Sequence, residues 1–552
     1  MEKIIKNQIT EVRFFYKIFL YIFLGALWSF SNVGYSFGLL TWFTFVPFLF
    51  FIKYENFKWG LLFSWIFGFS AYTCHFWWMV NPFYSYMSQD FLPIGFGFIG
   101  IIVGSLATLL VAAYHGLMYL IIYGISKFAA TKKNGDIFYL IMPLIVTAVD
   151  YFFPKLWFDQ IGYSQYIFFN FSQIADLFGV PLITFIVISS NASIIILIES
   201  ILYKKNLLFS IFLFSFVILI IIIGSIYGDY KKNEVEKSYE DFAKIGIVQG
   251  NYSGLDKKIF GKFDEMLTTY NDMTKTILDN TLDLVVWPES AIPTFFDSEN
   301  KDFTSVKNFN KVPLLFGTHI IETPNEESRK KDNIYNSLIL LSEDGKKLDY
   351  YYKRKLLMFV EGFEPKFLNI FMGLYGLTPF SSGEDNRIMS LNKLKIAANI
   401  CYEDIIPTFV RKSLNFKDEK ANILINCTND SWFGKSIEPN MHLHIAGFRA
   451  IENRISLVRS TCTGYSAVFS PKGELLYKSG LLTKEAKSVN VPLLSTKTVY
   501  NTFGWFFVYL LGIIIILIFV YAVFRKIKFE IIKSKMLSEN HHKKDLYKIW
   551  YD

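Results

Sequence analysis

The sequence is poor in charge and in cysteine. Only 19% of its 552 residues are charged, 52% are hydrophobic, and there are four cysteines. So hydrophobic a composition excludes an intrinsically disordered chain, and so few cysteines exclude a disulfide scaffold. The spacings C-x-x-C and H-E-x-x-H, which are typical of metal sites, do not occur. One ordinary soluble domain is disfavoured, because the hydrophobic residues are concentrated in 14–228 and 503–524.

These apolar stretches predict a polytopic α-helical membrane protein. A helix needs about 20 apolar residues to cross the hydrocarbon layer of a bilayer. We expect about eight transmembrane helices, at roughly 14–31, 35–52, 59–80, 92–125, 137–153, 179–202, 207–228 and 503–524. The fourth stretch is longer than one upright helix, and Pro93 with the glycines after it could break it. We count it as one span, because two spans would disturb the charge pattern of the loops.

Lysine and arginine residues predict the orientation. They precede the first span and follow the second, fourth, sixth and eighth, whereas the alternate short loops contain almost none apart from Lys155. Positively charged loops stay in the cytoplasm, so both termini are expected there and the segment 229–502 outside. The chain is thereby divided into 1–228 with seven transmembrane helices, 229–502 outside, and 503–552 with the eighth helix and a basic cytoplasmic tail. The net charge of +8 requires no nucleic acid, because lysines beside the membrane supply it.

Residues 229–502 have the pattern of an α/β domain. A helical stretch is expected at 257–280, among apolar runs of strand length at 244–249, 282–290, 312–320, 334–342, 393–404, 421–430 and 456–469. Mixed strands and helices of this kind predict sheets covered by helices. Such folds place their functional sites at the ends of strands.

Three polar side chains stand at the ends of apolar runs. Glu289 follows LVVWP, Lys353 follows an alternating strand, and Cys401 follows IAANI and precedes Tyr402 and Glu403. A cysteine nucleophile needs a base for its proton and a cation for the developing oxyanion, and these three residue types can divide those roles. Each one alone has a commoner explanation: a buried cysteine packs in a core, a glutamate after proline caps a helix, and a lysine in a charged run faces solvent.

Together the three residues resemble the Glu-Lys-Cys triad of the nitrilase, or carbon-nitrogen hydrolase, superfamily. The resemblance is carried by W-P-E-S at 287–290, K-R-x-L with the following glutamate at 353–361, C-Y-E-D at 401–404 and N-D-S-W-F-G at 429–434. With spans on both sides of this segment, the whole chain resembles the membrane branch of that superfamily, the apolipoprotein N-acyltransferases. G-Y-S-Q at 162–165 and V-Q-G-N at 248–251 fit that family as well.

This resemblance implies a nitrilase-like αββα sandwich for the outside segment and an acyl transfer through a thioester on a cysteine. Glu289 would be the base, Lys353 would stabilise the oxyanion and Cys401 would be the nucleophile. The supporting residues would be Glu361, Tyr402 and Glu403.

The resemblance also implies the substrates and the location. A phospholipid would donate the acyl chain and a diacylglyceryl-modified prolipoprotein would accept it, in a bacterial inner membrane with the catalytic segment in the periplasm. We expect neither a cofactor nor a metal. His442 and His444 are two residues apart, which places them on different faces of a helix.

The chain departs from the family pattern at three places. The family has L-V-P-F-G-E where this chain has LLMFVE at 356–361, and it has asparagine where this chain has Cys462. A tryptophan usual after Q-G-N is replaced by the lysines at 257 and 258. We expect these changes to affect acceptor contacts and substrate preference more than the triad.

Two other functions compete with this interpretation. The first is a membrane-tethered amidase or nitrilase that hydrolyses a C–N bond with the same triad. The second is a lipid-binding or transport protein with an inert outer domain, which intramembrane charges would favour. The predicted spans contain few such charges; Asp150 lies close to the end of one, and His75 and His115 are weak candidates.

Overall fold

The structure is a computed structural model of the whole chain. It describes residues 8–9, 11–86, 97–130, 136–254, 256–258, 262–309, 311–323, 333–358, 360–362, 369 and 379–539. Pro93 of the fourth predicted span, Phe359 of the altered loop and the end of the basic tail lie outside the described residues.

Contacts within the chain divide it into two compact units. The first comprises Met1–Trp77, Ser105–Asp229 and Thr502–Asp552, and the second comprises Trp78–Gly104 and Tyr230–Asn501. The second unit thus takes in a segment from the N-terminal half of the chain. The limits at 228 and 502 stay predictions.

Helices make up the described N-terminal region and C-terminal end, and further helices lie among the strands of the second unit. In chain order they are α1 Phe14–Phe30, α2 Val46–Tyr54, α3 Phe57–His75, α4 Val80–Tyr86, α5 Gly97–Ala129, α6 Ile137–Leu140, α7 Met142–Phe152, α8 Phe169–Ser172, α9 Ala175–Phe178, α10 Val180–Tyr203, α11 Leu207–Lys237, α12 Lys262–Ile277, α13 Pro407–Ser413, α14 Glu438–Asn453 and α15 Val499–Glu539. Short 3-10 helices occur at Gly38–Trp42, Trp77–Met79, Ile161–Ile167, Asp256–Lys258 and Cys401–Ile405.

Four of the described helices are long and apolar enough to cross a membrane. They are α5, α10, α11 and the Val499–Ile532 part of α15, and they match the fourth, sixth, seventh and eighth predicted spans. The second and fifth predicted spans are each divided into shorter helices, and α1 and α3 are 17 and 19 residues long. Large apolar side chains such as Leu208 and Ile516 are exposed on the long helices, as a lipid-facing surface requires. The exact number of transmembrane helices stays a prediction.

Buried charges in the first unit are paired. The Lys155 ammonium lies 2.5 Å from Asp150, and His75 lies 3.2 Å from Asp159. Lys155, the exception to the predicted charge pattern, is therefore a buried ion-pair partner. Pairing of this kind is how charges are accommodated where water is excluded.

Two β-sheets form the core of the second unit. The strands are β1 Asp241–Gln249, β2 Leu284–Val286, β3 Phe295–Asp297, β4 Leu314–Glu322, β5 Asn333–Leu341, β6 Lys347–Tyr352, β7 Ile388–Leu391, β8 Leu394–Ile400, β9 Asn415–Phe416, β10 Glu419–Lys420, β11 Ile423–Thr428, β12 Ser456–Thr461, β13 Ala467–Phe469, β14 Leu475–Lys478 and β15 Glu485–Leu493. One sheet has the order β15-β1-β2-β4-β5-β6, with β3 beside β4, and the other has the order β14-β13-β12-β11-β8-β7.

The two sheets pack face to face with helices outside them. Buried side chains from both sheets, including Ile245, Leu315, Ile396 and Val458, belong to one apolar cluster. On the outer face of the first sheet, α12 buries Met266 and Tyr270 against Trp287. Their spacing of four residues is that of one helical face. On the second sheet α14 contacts β12 and β13, so the layers follow the predicted order α-β-β-α.

The parallel strands explain where the polar side chains gather. The pairs β1–β2 and β2–β4 are parallel in the first sheet, and β8–β11 and β11–β12 are parallel in the second. These strands are buried on both faces, which accounts for their continuous apolar runs. Their carboxyl ends carry Glu289 and Cys401, whereas Lys353 follows the antiparallel strand β6.

The segment before α5 is attached to the second unit by specific contacts. The Asn81 side-chain amide donates a hydrogen bond of 3.0 Å to the Phe433 carbonyl. The Trp78 ring, which is buried, lies edge-on to the Phe433 ring with 5.2 Å between centroids. Phe433 belongs to the N-D-S-W-F-G block, so this segment supports a loop beside the candidate site.

Candidate active site

Three ionisable side chains meet at the end of the first sheet. The Lys353 ammonium, which follows β6, lies 2.8 Å from Oε2 of Glu361 and 3.4 Å from Oε1 of Glu289. All three residues are buried. Burial by itself lowers the pKa of Lys353, but the carboxylates of Glu361 and Glu289 outweigh this effect and raise that pKa well above its ordinary value. Lys353 is therefore held as a cation.

A neutral amide joins the two carboxylates. Nδ2 of Asn336, on β5, donates hydrogen bonds of 2.7 Å to Glu289 and 2.9 Å to Glu361. The backbone carbonyl of Asn336 also accepts a hydrogen bond of 2.8 Å from the Lys353 backbone N–H. Asn336 was not among the sequence candidates, since an asparagine within the run IYNSLILLS gives no sign of its partners. It fixes the orientation of both carboxylates around the ammonium.

Gly317 allows β4 to approach the backbone of Glu289 closely. A Cβ atom at Gly317 would lie 2.5 Å from the Pro288 carbonyl oxygen and 2.6 Å from Cα of Glu289. Both atoms belong to the backbone, so a side chain could be accommodated only by moving the strand end. Glycine at this position therefore helps to place Glu289.

Cys401 begins a tight turn after β8. It has a φ of 51°, a left-handed conformation that a non-glycine residue adopts only when its surroundings impose it. The Asn426 side chain holds this turn by donating a 3.0 Å hydrogen bond to the Cys401 carbonyl. Burial and the Glu289 carboxylate raise the pKa of the thiol, against the opposing effects of Lys353 and Thr428. The thiol is thus mostly protonated at neutral pH and needs a base to become a nucleophile.

Glu403 connects the turn at Cys401 to the strand end at Lys353. Its carboxylate accepts hydrogen bonds from the backbone N–H groups of Ile400, Arg354 and Lys355, at 2.8, 2.7 and 2.9 Å. It accepts another of 2.9 Å from the Tyr351 hydroxyl. Burial raises its pKa to about 7, although the backbone donors oppose this shift. Both oxygens are turned toward the backbone, so Glu403 positions the two loops.

Tyr402 directly follows Cys401 in the same turn. Burial raises the pKa of its hydroxyl. We expect its backbone N–H, at the start of the 3-10 helix, to face the reacting carbonyl. The roles of all the site residues stay proposals, although the structure brings Glu289, Lys353 and Glu361 together as expected.

Comparison with known proteins identifies the family. Residues 244–500 match the family model described as "Carbon-nitrogen hydrolase", and residues 24–193 match "Apolipoprotein N-acyltransferase N-terminal domain". A Rickettsia prowazekii protein named apolipoprotein N-acyltransferase is 28% identical over 494 residues, covering 86% of this chain and 93% of its own length. The chain belongs to the apolipoprotein N-acyltransferase family. The predicted membership is thereby confirmed, as is the fold class of apolar helices with a nitrilase-like α/β domain.

Other relatives of this N-acyltransferase family member differ in how much of the chain they cover. A Geobacter metallireducens protein of the same name is 27% identical over 356 residues, which span 62% of this chain and 66% of its own length. Among solved structures, the nitrilase-superfamily protein Nit3 of Saccharomyces cerevisiae covers 48% of this chain and 94% of its own, at 20% identity and a TM-score of 0.35.

Two of the departures from the N-acyltransferase pattern contact each other beside the triad. The Lys257 ammonium donates to the Glu289 backbone carbonyl and to the Cys462 sulfur, both at 3.1 Å. The Cys462 thiol in turn donates to the same carbonyl at 3.2 Å. Burial raises the pKa of Cys462, and Lys257 acts in the opposite direction. Together Lys257 and Cys462 hold the backbone carbonyl of Glu289.

Cys427, the other cysteine near a strand end, lies on the strand beside β8, where it pairs with Ile400. It is buried on β11 within the apolar core between the sheets. Burial raises the pKa of its thiol well above the ordinary value. All four cysteines are free, so a disulfide does not distinguish them. The turn and the neighbouring Lys353 distinguish Cys401 as the candidate nucleophile.

Proposed function

We propose that the chain transfers an acyl chain from a phospholipid to the N-terminal α-amine of a diacylglyceryl-cysteine lipoprotein. The observation that carries the proposal is the Glu289-Lys353-Glu361 cluster beside the strained turn at Cys401. An acyltransferase activity is in keeping with the family. The choice of phospholipid as donor, the residue roles and the sequence of steps belong to the proposal.

The first step forms the acyl-enzyme. Glu289 accepts the thiol proton of Cys401 while the sulfur attacks an ester carbonyl of the phospholipid. The Lys353 ammonium and the Tyr402 backbone N–H stabilise the negative oxygen of the tetrahedral intermediate. When that intermediate collapses, the ester C–O bond breaks, and Glu289 returns the proton to the departing oxygen. The products are a thioester on Cys401 and a lysophospholipid.

The second step uses the same groups in the reverse direction. The lipoprotein α-amine attacks the thioester carbonyl, and Glu289 accepts a proton from the amine nitrogen. The C–S bond then breaks, an amide remains on the lipoprotein, and the Cys401 thiolate regains the proton. Donor and acceptor thus react in turn at one sulfur atom. General base catalysis of this kind contributes about 10²- to 10⁴-fold.

The raised pKa of the Cys401 thiol supports this assignment of the base. Since its pKa is raised, thiolate is scarce at neutral pH, and transfer of the proton to Glu289 supplies it during the reaction. Lys353 cannot act as that base, because the flanking carboxylates hold it protonated. The ammonium is instead suited to the oxyanion.

The finer localisation is also part of the proposal. Both substrates are lipids, so the reaction belongs at a membrane surface. The lysine and arginine pattern of the loops supports cytoplasmic termini and a periplasmic catalytic segment in a bacterial inner membrane.

The test uses the full chain purified in detergent and a phospholipid with an isotope-labelled acyl chain. Mass spectrometry follows label on the protein alone and then on an added diacylglyceryl-cysteine peptide. We expect a labelled thioester on Cys401 without the peptide, and a labelled amide on its α-amine with it. Cys401→Ala should abolish both signals.

Cys427→Ala is the matched control, because Cys427 also ends a buried strand but lies in the apolar core. It should retain both signals. Label on Cys427 or Cys462 would overturn the choice of nucleophile. If the labelled chain appears only as free fatty acid when the peptide is present, the chain hydrolyses the phospholipid ester and the proposed transfer to the amine is wrong.

A further inference from the structure

A second buried cluster of ionisable groups lies on the other sheet, centred on His442 of α14. Nε2 of His442 lies 2.7 Å from Oδ1 of Asp404. Its Nδ1 atom lies 3.3 Å from Oδ1 of Asp430 and 3.5 Å from Oε1 of Glu438. Arg459 of β12 binds the remaining oxygens of Asp404 and Asp430, both at 2.8 Å. His442 therefore pairs with carboxylates from two loops and its own helix, and the proposed reaction uses none of these groups.

Glu438 is the unexplained member of this cluster. Its side chain is fully buried, and among the described residues neither carboxylate oxygen has a hydrogen-bond partner. A buried carboxylate without donors is costly, so such groups bind a cation or take up a proton. Its position on the first turn of α14 directs it toward Asp430 and His442.

The distances suit a metal. One atom from each of Asp430, Glu438 and His442 can be chosen so that all three lie within 4.8 Å of one another. In a tetrahedral site with bonds of about 2.0–2.1 Å, neighbouring ligand atoms are about 3.3 Å apart. The two separations from Nδ1 of His442, 3.3 and 3.5 Å, are close to that value.

The surroundings of His442 complete the pattern. A histidine that binds a metal through one ring nitrogen usually donates its other N–H to a carboxylate, which fixes the tautomer. Asp404 occupies that position at Nε2, and Arg459 in turn holds Asp404. One imidazole and two carboxylates are ligands that suit a divalent transition metal better than Mg²⁺ or Ca²⁺, because those two ions prefer oxygen ligands alone.

We propose that Asp430, Glu438 and His442 form a structural site for a divalent transition-metal cation, for which Zn²⁺ fits best. The cation would join α14 to the 429–434 loop. Through Asp404, which shares a 3-10 turn with Cys401, it would also stabilise the nucleophile's turn. The sequence analysis did not suggest this site, because the partners of His442 are not His444 but Glu438, one helical turn away, and Asp430, which the fold brings close.

The test measures metal directly in the full chain purified in detergent without chelators. Mass spectrometry of metals should give about one Zn²⁺ per chain, and Co²⁺ exchanged into the site should produce a visible absorption band typical of tetrahedral nitrogen and oxygen ligands. Glu438→Gln keeps the shape but removes one ligand charge, and we expect at least a tenfold fall in bound Zn²⁺ and loss of the Co²⁺ band. His444→Gln removes a histidine from the same helix and should leave both unchanged.

The Co²⁺ spectrum of the unaltered chain keeps the test decisive even if Glu438→Gln fails to fold. No band and no stoichiometric metal in the unaltered chain would overturn the proposal, with the cluster then being an ion-pair network around a protonated imidazole. Equal metal content in the unaltered chain and Glu438→Gln would overturn it as well, since the ion would be bound elsewhere. Both readouts are independent of acyl transfer.

Discussion

Replacement of Asn336 by alanine tests whether one amide organises the candidate site. The change removes the hydrogen bonds of 2.7 and 2.9 Å that orient Glu289 and Glu361. A hydrogen bond to a charged group contributes about 1.5–3 kcal/mol. If the bond to Glu289 serves to hold the base in its reactive position, its loss corresponds to about a 10- to 150-fold slower formation of the acyl-enzyme, at 1.36 kcal/mol for each factor of ten.

A matched variant separates this effect from loss of stability. Asn271 of α12 is buried to the same extent as Asn336, each with 3% of its surface exposed. Its Nδ2 also donates two hydrogen bonds, of 2.9 and 3.0 Å, but to the neutral carbonyls of Leu267 and Val306. Oδ1 of Asn271 accepts a further hydrogen bond of 2.6 Å from the Asn308 backbone N–H. We expect both Asn271→Ala and Asn336→Ala to lower the melting temperature, and only Asn336→Ala to slow acylation.

The assay is the rate at which labelled acyl chain appears on the protein at saturating phospholipid, with thermal unfolding measured in the same detergent. An acylation rate for Asn336→Ala within about threefold of that for Asn271→Ala would refute the reasoning. In that case Lys353, together with the Leu357 backbone N–H that donates to Glu361 at 2.8 Å, would hold the carboxylates without Asn336.

Three further predictions concern the same site. Because the pKa of the Cys401 thiol is raised, its alkylation by iodoacetamide should continue to accelerate with pH above 9. A plateau of the alkylation rate near pH 7 would contradict a thiol that is protonated at neutral pH. Gly317→Ala should reduce the acylation rate at least tenfold, because the added Cβ would clash with the backbone of Glu289. Gly246→Ala, in the same sheet, is the control: its Cβ would meet only the end of a flexible side chain, at 2.9 Å, so its acylation rate should stay within about threefold of that of the unaltered chain. Glu403→Gln should lower the free energy of unfolding by about 2–4 kcal/mol, because the new NH2 group would face the N–H and O–H groups that now donate to the carboxylate. An unchanged melting temperature would show that Glu403 does not hold the two loops in place.

The candidate triad could be proposed because each of its residues stands at a strand end. Glu289 and Cys401 follow buried strands, and a polar residue directly after such an apolar run is conspicuous, whereas Lys353 follows the alternating, partly exposed strand β6. Asn336 gave no comparable signal, because it lies inside a strand. Its partners depend on the register of β5 between β4 and β6, which a single sequence does not contain.

Glu403 and Glu438 illustrate a second limit. Glu403 was expected to support the site, but its four donors come from two chain segments far apart in sequence. Glu438 stands four residues before His442 on α14, so helical spacing accounts for that contact, and the fold adds Asp430. Residues that act through buried polar networks are thus found from geometry.

The helices show which features of the membrane region are local. Runs such as 207–228 are apolar over their whole length, and each became one helix. The predicted span 137–153 is instead divided between Ile137–Leu140 and Met142–Phe152, with Pro143 in the first turn of the second helix. Proline favours a helix start, so hydropathy alone overestimated the continuity of this span.

The contact between Asn81 and Phe433 has a practical consequence for taking the protein apart. A fragment cut at 229 and 502 would leave the Phe433 carbonyl without its donor and would uncover the ring that Trp78 shields. Inactivity of such a fragment would therefore not distinguish a need for lipid from damage to the loop beside Asp430. A catalytic fragment that folds by itself has to include residues 78–86 as well as 229–502, either as a separate peptide or joined through a linker. In this protein the folding unit that contains the candidate site is therefore not one continuous stretch of sequence.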